Sequence, residues 1–213
     1  AVSKPLFFAC TFLALTVLGG FTYYSASIWS SYPSMALAWA QKAPTSSRAQ
    51  QQASMVLFNE GRPVQAYDFL EQATSRIPED LSLRLWKVTM GCKSGVDVSQ
   101  DYNSAVNLAS KQLYDLRAIE QYRLFTRVVG KNECAVLDNQ HGVDFFKALL
   151  VYPRNANPNS AQHSQIQYFL GELSVYRNEP DKAMAHFEAS LRTRPGPHHA
   201  MHMASFLASH GYS

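Results

Sequence analysis

Charged residues are absent from a long stretch near the beginning of the sequence. No charged side chain occurs from Pro5 to Gln41, whereas every acidic residue and all but one of the basic residues lie beyond that stretch. The chain therefore divides into an apolar part and a polar part of unlike composition. In the polar part the basic residues are interspersed with acidic ones, and the net charge is only +3. The sequence therefore does not predict a nucleic-acid partner.

The sequence also lacks the usual signatures of a catalytic or metal site. It contains no CxxC pair, glycine-rich phosphate loop, GxSxG motif or HExxH motif. His198 and His202, with His199 between them, have the i, i+4 spacing that can bring two imidazoles to one metal on a helix. No acidic residue lies in that segment, so we interpret these histidines as polar residues at a helix start. We predict neither a metal site nor a cofactor.

Cys92 and Cys134 leave two interpretations open. They are 42 residues apart, and each lies near the end of a predicted helix. Outside the cytoplasm such a pair is expected to form a disulfide, which stabilises a fold by about 2–4 kcal/mol. The alternative is two buried free thiols.

The apolar stretch from Pro5 to Ile28 predicts a transmembrane helix. It supplies about the 20 residues that a helix needs to cross roughly 30 Å of hydrocarbon. Lys4 precedes it, and Tyr23, Tyr24 and Trp29 fit an aromatic belt at its far end. This pattern favours an N-terminus inside the cell and a C-terminal part outside. We assign residues 1–32 to this helix and its flanks.

A cleaved signal peptide is the alternative interpretation, because Ala38-Trp39-Ala40 has the small-x-small form of a cleavage site. However, a spacer that contains Pro33 separates this site from the apolar core, which argues against cleavage. Residues 33–46 are instead predicted to form an interfacial helix or linker. Because the sequence begins with Ala, we expect it to be a fragment of a longer protein.

The polar part carries a repeated pattern. In the segment 162–195, the residues Leu170, Gly171, Ala183, Phe187 and Pro195 have the spacing of a tetratricopeptide repeat, in which two antiparallel helices pack through small residues. The segment 47–78 has the same spacing, with Gly61 in the turn between helices, followed by Ala66, Leu70, Ala73 and Pro78.

The sequence between the two repeats predicts helices without the repeat pattern. Apolar spacing of three and four indicates helices at about 80–92, 100–113, 115–129 and 143–151, so we treat 80–152 as irregular. A further unit begins at 197 and is predicted to be truncated. The predicted fold is all-α, with one transmembrane helix followed by a tetratricopeptide-like right-handed solenoid over 47–213.

Such solenoids bind ligands on the concave face formed by the first helix of each unit. In the register above, this face is predicted to carry eight candidate binding residues: Arg48, Gln51, Met55, Phe58, Gln165, Tyr168, Glu172 and Val175. Together they form a mixed polar and aromatic surface that could hold a peptide or a glycan.

Over residues 5–213 the chain resembles one known family. The shared features are the apolar helix, the repeat at 47–78, the segments WKVTMGCKSG and ECAVLDNQ, the repeat at 162–195 and the closing MASFLASHGYS. They resemble the C-terminal region of bacterial O-antigen ligase and polymerase-like membrane proteins, including pilin-type protein O-oligosaccharyltransferases.

The resemblance implies a multi-spanning enzyme of the bacterial inner membrane that transfers a glycan from an undecaprenyl-diphosphate carrier. The catalytic part of such enzymes lies upstream of this region, so no catalytic residue is carried over. The residues after the membrane helix are then expected to form a periplasmic platform that binds an acceptor, a partner or the enzyme itself. The competing hypothesis is a single-pass adaptor that scaffolds an envelope assembly such as a pilus or secretion system.

Overall fold

The structure, a computed structural model, describes residues 4–212, and within this range it contains helices and no strands. The predicted all-α fold class is confirmed. The predicted domain ends at residues 1 and 213 lie outside the described residues. The helices are α1 Lys4–Trp29, α2 Tyr32–Lys42, α3 Ser47–Asn59, α4 Pro63–Arg76, α5 Leu81–Lys93, α6 Ser99–Ala109, α7 Ile119–Gly130, α8 Asn139–Leu149, α9 Pro153–Ala156, α10 Ala161–Tyr176, α11 Pro180–Thr193 and α12 Pro197–Ser209, with a 3-10 turn at Leu116–Ala118 before α7.

The first helix, α1, is apolar on all sides. Its segment Phe8–Trp29 has a mean hydropathy of 1.3, and none of it is buried against the rest of the protein. By length and composition α1 is able to cross a membrane. A helix that exposes Phe12, Leu15 and Phe21 in this way cannot gain hydrophobic stabilisation from the other helices.

The second helix, α2, packs against the polar part of the chain. Ser31 caps the start of α2, since its side chain accepts a hydrogen bond from the Ser34 amide, and α2 has a proline in its first turn. Ala36 and Ala40 on α2 are buried, and α2 lies against α3. The segment that the sequence predicts as an interfacial helix or linker is therefore docked on the folded body through small residues.

From α3 onward the helices form two rows. In one row, which we call the inner row, α3 contacts α5, α5 contacts α7, and α7 contacts α10. The other row is formed by α4, α6, α8 and α11, and each of these helices contacts its neighbour in the inner row. Each inner-row helix and the helix of the other row that follows it form an antiparallel helical hairpin, with a connection of three residues between α3 and α4 and eight residues between α7 and α8. The segment 80–152, predicted as irregular, supplies two of these pairs.

Five helices end with the same type of turn. A left-handed residue follows α3, α5, α7, α10 and α12, and these residues are Gly61, Gly95, Asn132, Asn178 and Gly211. At each turn the amide of the next residue donates to the carbonyl five positions back, as from Arg62 to Leu57 and from Glu133 to Val128. This hydrogen bond closes a Schellman motif, in which glycine and asparagine tolerate the positive φ. The inner helices therefore all end alike.

The two predicted repeats pack through their small residues. Ala66, Leu70, Ala73 and Ala183 are fully buried. A Cβ atom at Gly171 would lie 2.4 Å from the Phe187 ring, so only glycine lets α10 and α11 approach this closely. Pro78 and Pro195 are exposed and lie two positions after the last residues of α4 and α11. Proline cannot continue either helix, so each helix ends before it.

A disulfide joins Cys92 to Cys134. Cys92 lies in the last turn of α5, and Cys134 follows the turn after α7. The bond therefore ties two neighbouring inner-row helices, α5 and α7, together near their C-terminal ends. Of the two interpretations of these cysteines, the structure has the disulfide.

Candidate binding cleft

The first turns of three inner-row helices enclose a polar cleft of about 580 Å³. It lies where α3 and α5 begin and where the 3-10 turn leads into α7. Its walls are lined by Ser47, Arg48, Gln51, Gln52, Asp80, Ser82, Asp115, Arg117, Ala118, Glu120 and Gln121. We call this site the polar cleft. Its volume is in the range of small-ligand sites, and its lining has no aromatic side chain.

Asp80 is a lining residue of the cleft that contacts both α3 and α5. One carboxylate oxygen accepts hydrogen bonds from the Leu83 amide at 2.8 Å and the Ser82 hydroxyl at 2.7 Å, and so caps α5. The other oxygen accepts from the Ser47 hydroxyl of α3. Asp80 is therefore held by helix capping and ties α3 to α5.

A short chain of side-chain hydrogen bonds at the cleft links α7 to α3 and α3 to α5. The Gln121 Nε2 donates to Gln51 Oε1 at 2.8 Å, and the Gln51 Nε2 donates to Ser82 Oγ at 3.3 Å. The remaining atom of this chain, the Gln121 Oε1, is buried and has no hydrogen-bond partner among the described residues. Buried polar atoms in folded proteins are nearly always paired. The Gln121 side chain therefore lines the cleft while its buried Oε1 has no partner supplied by residues 4–212.

The charges at the rim are largely paired with each other. The Arg117 Nε lies 3.0 Å from Asp115 Oδ1, and the Arg123 Nη1 lies 2.6 Å from Glu120 Oε1. Burial alone would raise the pKa of Asp115, but the hydrogen bonds and charge of Arg117 lower it. The carboxylate therefore stays ionised and bound to Arg117. These pairs leave Arg48 as a cation of the lining that has no ion pair among the described residues.

The predicted concave-face residues divide into two groups. From the first unit, Arg48 and Gln51 line the polar cleft, whereas Met55 and Phe58 are half-buried against the apolar cluster that contains Leu70. The second group, Gln165, Tyr168, Glu172 and Val175, is buried in the structure. These four do not form an open groove because α10 is surrounded by α7, α8, α9 and α11, and because α12 covers Tyr168.

Sequence reasoning did not select Asp80, Ser82, Asp115 and Gln121. Asp80 and Asp115 each stand directly before a helical turn and cap it, and this capping pattern is visible in the sequence. Gln121 carries no such signal. Its role depends on the approach of α7 to α3, which brings residues 70 positions apart into contact.

Tyr168 and Glu172 form a second polar cluster, inside the packed helices. The Tyr168 hydroxyl donates to Glu172 Oε1 at 2.5 Å and lies 2.9 Å from His202 Nδ1 on α12. Burial raises the pKa of Glu172 to about 7, although the hydrogen bond from Tyr168 and the charges of Arg123 and Arg127 oppose the rise. This cluster holds α12 against α10.

The cluster makes stability depend on pH. The folded pKa of Glu172 lies above its unfolded value of 4.5, so between these pH values the folded protein binds a proton that the unfolded chain releases. The free energy of unfolding is therefore expected to fall by roughly 3 kcal/mol as the pH rises from about 4.5 to about 7. Glu172→Gln should remove this part of the slope because glutamine does not titrate, and its Oε1 can still accept the hydrogen bond from Tyr168. Urea unfolding at several pH values measures both slopes, and equal slopes would contradict the assignment.

The three histidines at the start of α12 are largely used in packing. The His199 Nε2 lies 3.2 Å from Ser190 Oγ, and the His199 and His202 rings both lie against Tyr168. His198 is exposed. Within the described residues, no group of three potential metal ligands comes together.

Comparison with known proteins did not identify a family for this chain. No protein-family model matches the chain, and no curated protein matches its sequence.

Proposed function

We propose that this chain is a membrane-anchored, non-catalytic platform that binds an extended polypeptide segment in the polar cleft. The observation that carries the proposal is a cleft of about 580 Å³ lined by polar side chains, among them Gln121, whose Oε1 is buried and has no partner within residues 4–212. An extended peptide backbone presents amide donors and carbonyl acceptors, and both can pair with the glutamine side chains of the cleft. The carboxylates of the cleft serve as caps and ion-pair partners, which supports binding and not catalysis.

We further propose that the two rows of helices form a tetratricopeptide-like solenoid. The support comes from the Schellman motifs that end α3, α5, α7, α10 and α12, each with a residue of positive φ. Gly61 and Gly95, and likewise Asn178 and Gly211, are separated by about 34 residues, which is the period of that repeat. The polar cleft lies on the inner row, where such solenoids bind their ligands.

The proposed location is the bacterial inner membrane, with α1 as the anchor and the helices from α3 onward in the periplasm. The length and composition of α1 support the anchor. The disulfide between Cys92 and Cys134 supports an oxidising compartment, because disulfides persist there and are rare in the cytosol.

From the resemblance to O-antigen ligases and protein O-oligosaccharyltransferases, we propose that this platform belongs to a glycan-transferring membrane enzyme. In that setting the peptide segment belongs to an acceptor protein or to a partner of the glycan-transferring enzyme. A single-pass adaptor of an envelope assembly would use the same cleft for one of its protein subunits. A glycan ligand is less well supported, since the cleft lacks the aromatic face on which the apolar side of a sugar ring can stack.

The proposal is tested with the full chain in lipid nanodiscs and a random peptide library displayed on phage. Peptides that bind are synthesised, and their affinities are measured by fluorescence anisotropy. Gln121→Ala removes the unpartnered acceptor and is expected to weaken binding about 5-fold, the equivalent of one hydrogen bond. The matched control is Gln72→Ala, on the exposed face of α4, and it should leave the affinity unchanged.

Two results would overturn the proposed ligand class. One is a set of peptides whose affinity does not respond to Gln121→Ala. The other is binding of a maltodextrin, in place of any peptide, with an affinity that Gln121→Ala weakens. Unfolding of both variants is followed in parallel, so that a loss of folding is not read as a loss of contact.

A further inference from the structure

The first two helices form the walls of a second cleft, which is apolar, open and separate from the polar cleft. Its volume is about 440 Å³. Phe21, Tyr24 and Ile28 of α1 form one wall, and Met35 and Trp39 of α2 form the other. Lys42, in the last turn of α2, is the one charged residue of its lining within the described chain. We call this site the anchor groove.

The lining shows how α2 lies relative to α1. Phe21 comes eight positions before the end of α1, which corresponds to about 12 Å of helix, and Lys42 is the last residue of α2. Both line the same groove. The second helix therefore folds back beside the final turns of α1. Lys42 lines the groove together with Phe21 and Tyr24 of the predicted membrane span.

The groove surface is apolar and open. Phe21 and Tyr24 are 71% and 63% exposed, and Trp39 is 39% exposed. Exposed apolar surface of this kind is stabilised when hydrocarbon covers it. Tyrosine and tryptophan prefer the interface between the lipid tails and the headgroups.

The charge of this region has one sign. The first acidic residue of the sequence is Glu60, so no carboxylate from α1, α2 or α3 is present to neutralise Lys42. A lysine in such a place extends its aliphatic stem along apolar surface and holds its ammonium group at the headgroup level. The ligand that complements the groove therefore has a hydrocarbon chain and a negatively charged head.

We propose that the anchor groove binds one anionic phospholipid of the surrounding bilayer. One acyl chain lies between α1 and α2, against Phe21, Ile28 and Trp39, and the phosphate pairs with Lys42. This inference rests on the proposed membrane anchorage by α1. It also assigns a role to α2, which positions the helical platform at the membrane surface through the bound lipid.

The test uses tryptophan fluorescence of the full chain in nanodiscs. Bromine atoms on an acyl chain quench nearby tryptophans, and Trp29 and Trp39 both line the groove. Nanodiscs of phosphatidylcholine receive a small fraction of brominated phosphatidylglycerol or of brominated phosphatidylcholine. We expect the anionic lipid to be preferred about 5-fold at the quenched site, as one lysine at an anionic surface provides.

Three variants locate the site. Lys42→Gln should abolish the preference for the anionic lipid, whereas Lys93→Gln, at the exposed end of α5, should retain it. Trp29→Phe combined with Trp39→Phe should remove most of the preferential quenching, because the third tryptophan, Trp86, is buried in the helical body.

The outcomes separate this inference from the proposed function. Equal quenching by both lipids in the unaltered chain, or an undiminished preference in Lys42→Gln, overturns the lipid site while leaving the anchor in place. Absence of quenching by either lipid, together with release of the chain from membranes by alkaline carbonate, overturns the membrane anchor and with it the lipid site.

Discussion

Replacing Cys92 and Cys134 together by alanine is expected to lower the free energy of unfolding by about 4 kcal/mol. A crosslink that closes a loop of 42 residues removes conformational entropy from the unfolded chain, and this loop length corresponds to that value. The effect should be large because both cysteines are buried in the main core. Urea unfolding of the full chain in detergent micelles, followed by circular dichroism, measures the difference.

The control for this prediction is Cys10→Ala, because Cys10 is the free, exposed cysteine of α1. It should leave the unfolding midpoint unchanged. A reductant should destabilise the unaltered protein and have no effect on the double variant. Equal stability of the oxidised and reduced proteins would contradict the role assigned to the disulfide.

Substitution of Gly171 should also have a large effect. The Cβ atom of any other residue would lie 2.4 Å from the Phe187 ring, which is itself only 2% exposed and has no free space. Gly171→Leu is therefore expected to destabilise the protein by roughly 3 kcal/mol through overpacking of the contact between α10 and α11. The same unfolding measurement applies.

A matched pair of smaller substitutions isolates the cause. Gly171→Ala should be destabilising although alanine favours helices, whereas Gly196→Ala should be close to neutral, because a Cβ there meets nothing within 4 Å. Combining Gly171→Ala with Phe187→Leu should cost less than the sum of the two single changes, since the smaller side chain makes room. Additive costs would contradict direct contact between the two positions.

Local signals made much of the fold predictable from the sequence. The transmembrane candidate follows from an uncharged apolar run, and the structure has α1 at Lys4–Trp29 where Pro5 to Ile28 was predicted. The hairpin of α10 and α11 follows from Gly171, Ala183 and Phe187, because small residues at this spacing let two helices touch. In both cases the signal lies within one or two neighbouring helices.

The middle of the chain was harder to predict because its connections differ in length from those of the repeats. Nine residues, including a 3-10 turn, separate α6 from α7, and eight residues separate α7 from α8. Both features hide the regular hairpins of 80–152 from a search by spacing. The turn after α7 nevertheless follows the same path, since its Asn132 also tolerates a positive φ.

The candidate binding residues were predictable only in part. A helical register shows which side chains share a face, and Arg48 and Gln51 of the predicted face line the polar cleft. It does not show what covers that face. Tyr168 and Glu172 share the corresponding face of α10, but α12 packs over Tyr168. The partner of Gln51 lies on α7, 70 positions away, and a contact at that distance along the chain has no local signal.

The most direct test of the platform is hydrogen–deuterium exchange of the full chain in nanodiscs, with and without a peptide selected from the library. The account predicts slower exchange at the starts of α3, α5 and α7, where the polar cleft lies, and no change in α10 and α11. Slower exchange confined to α10–α12, or none at the three helix starts despite saturating peptide, would contradict binding in the polar cleft.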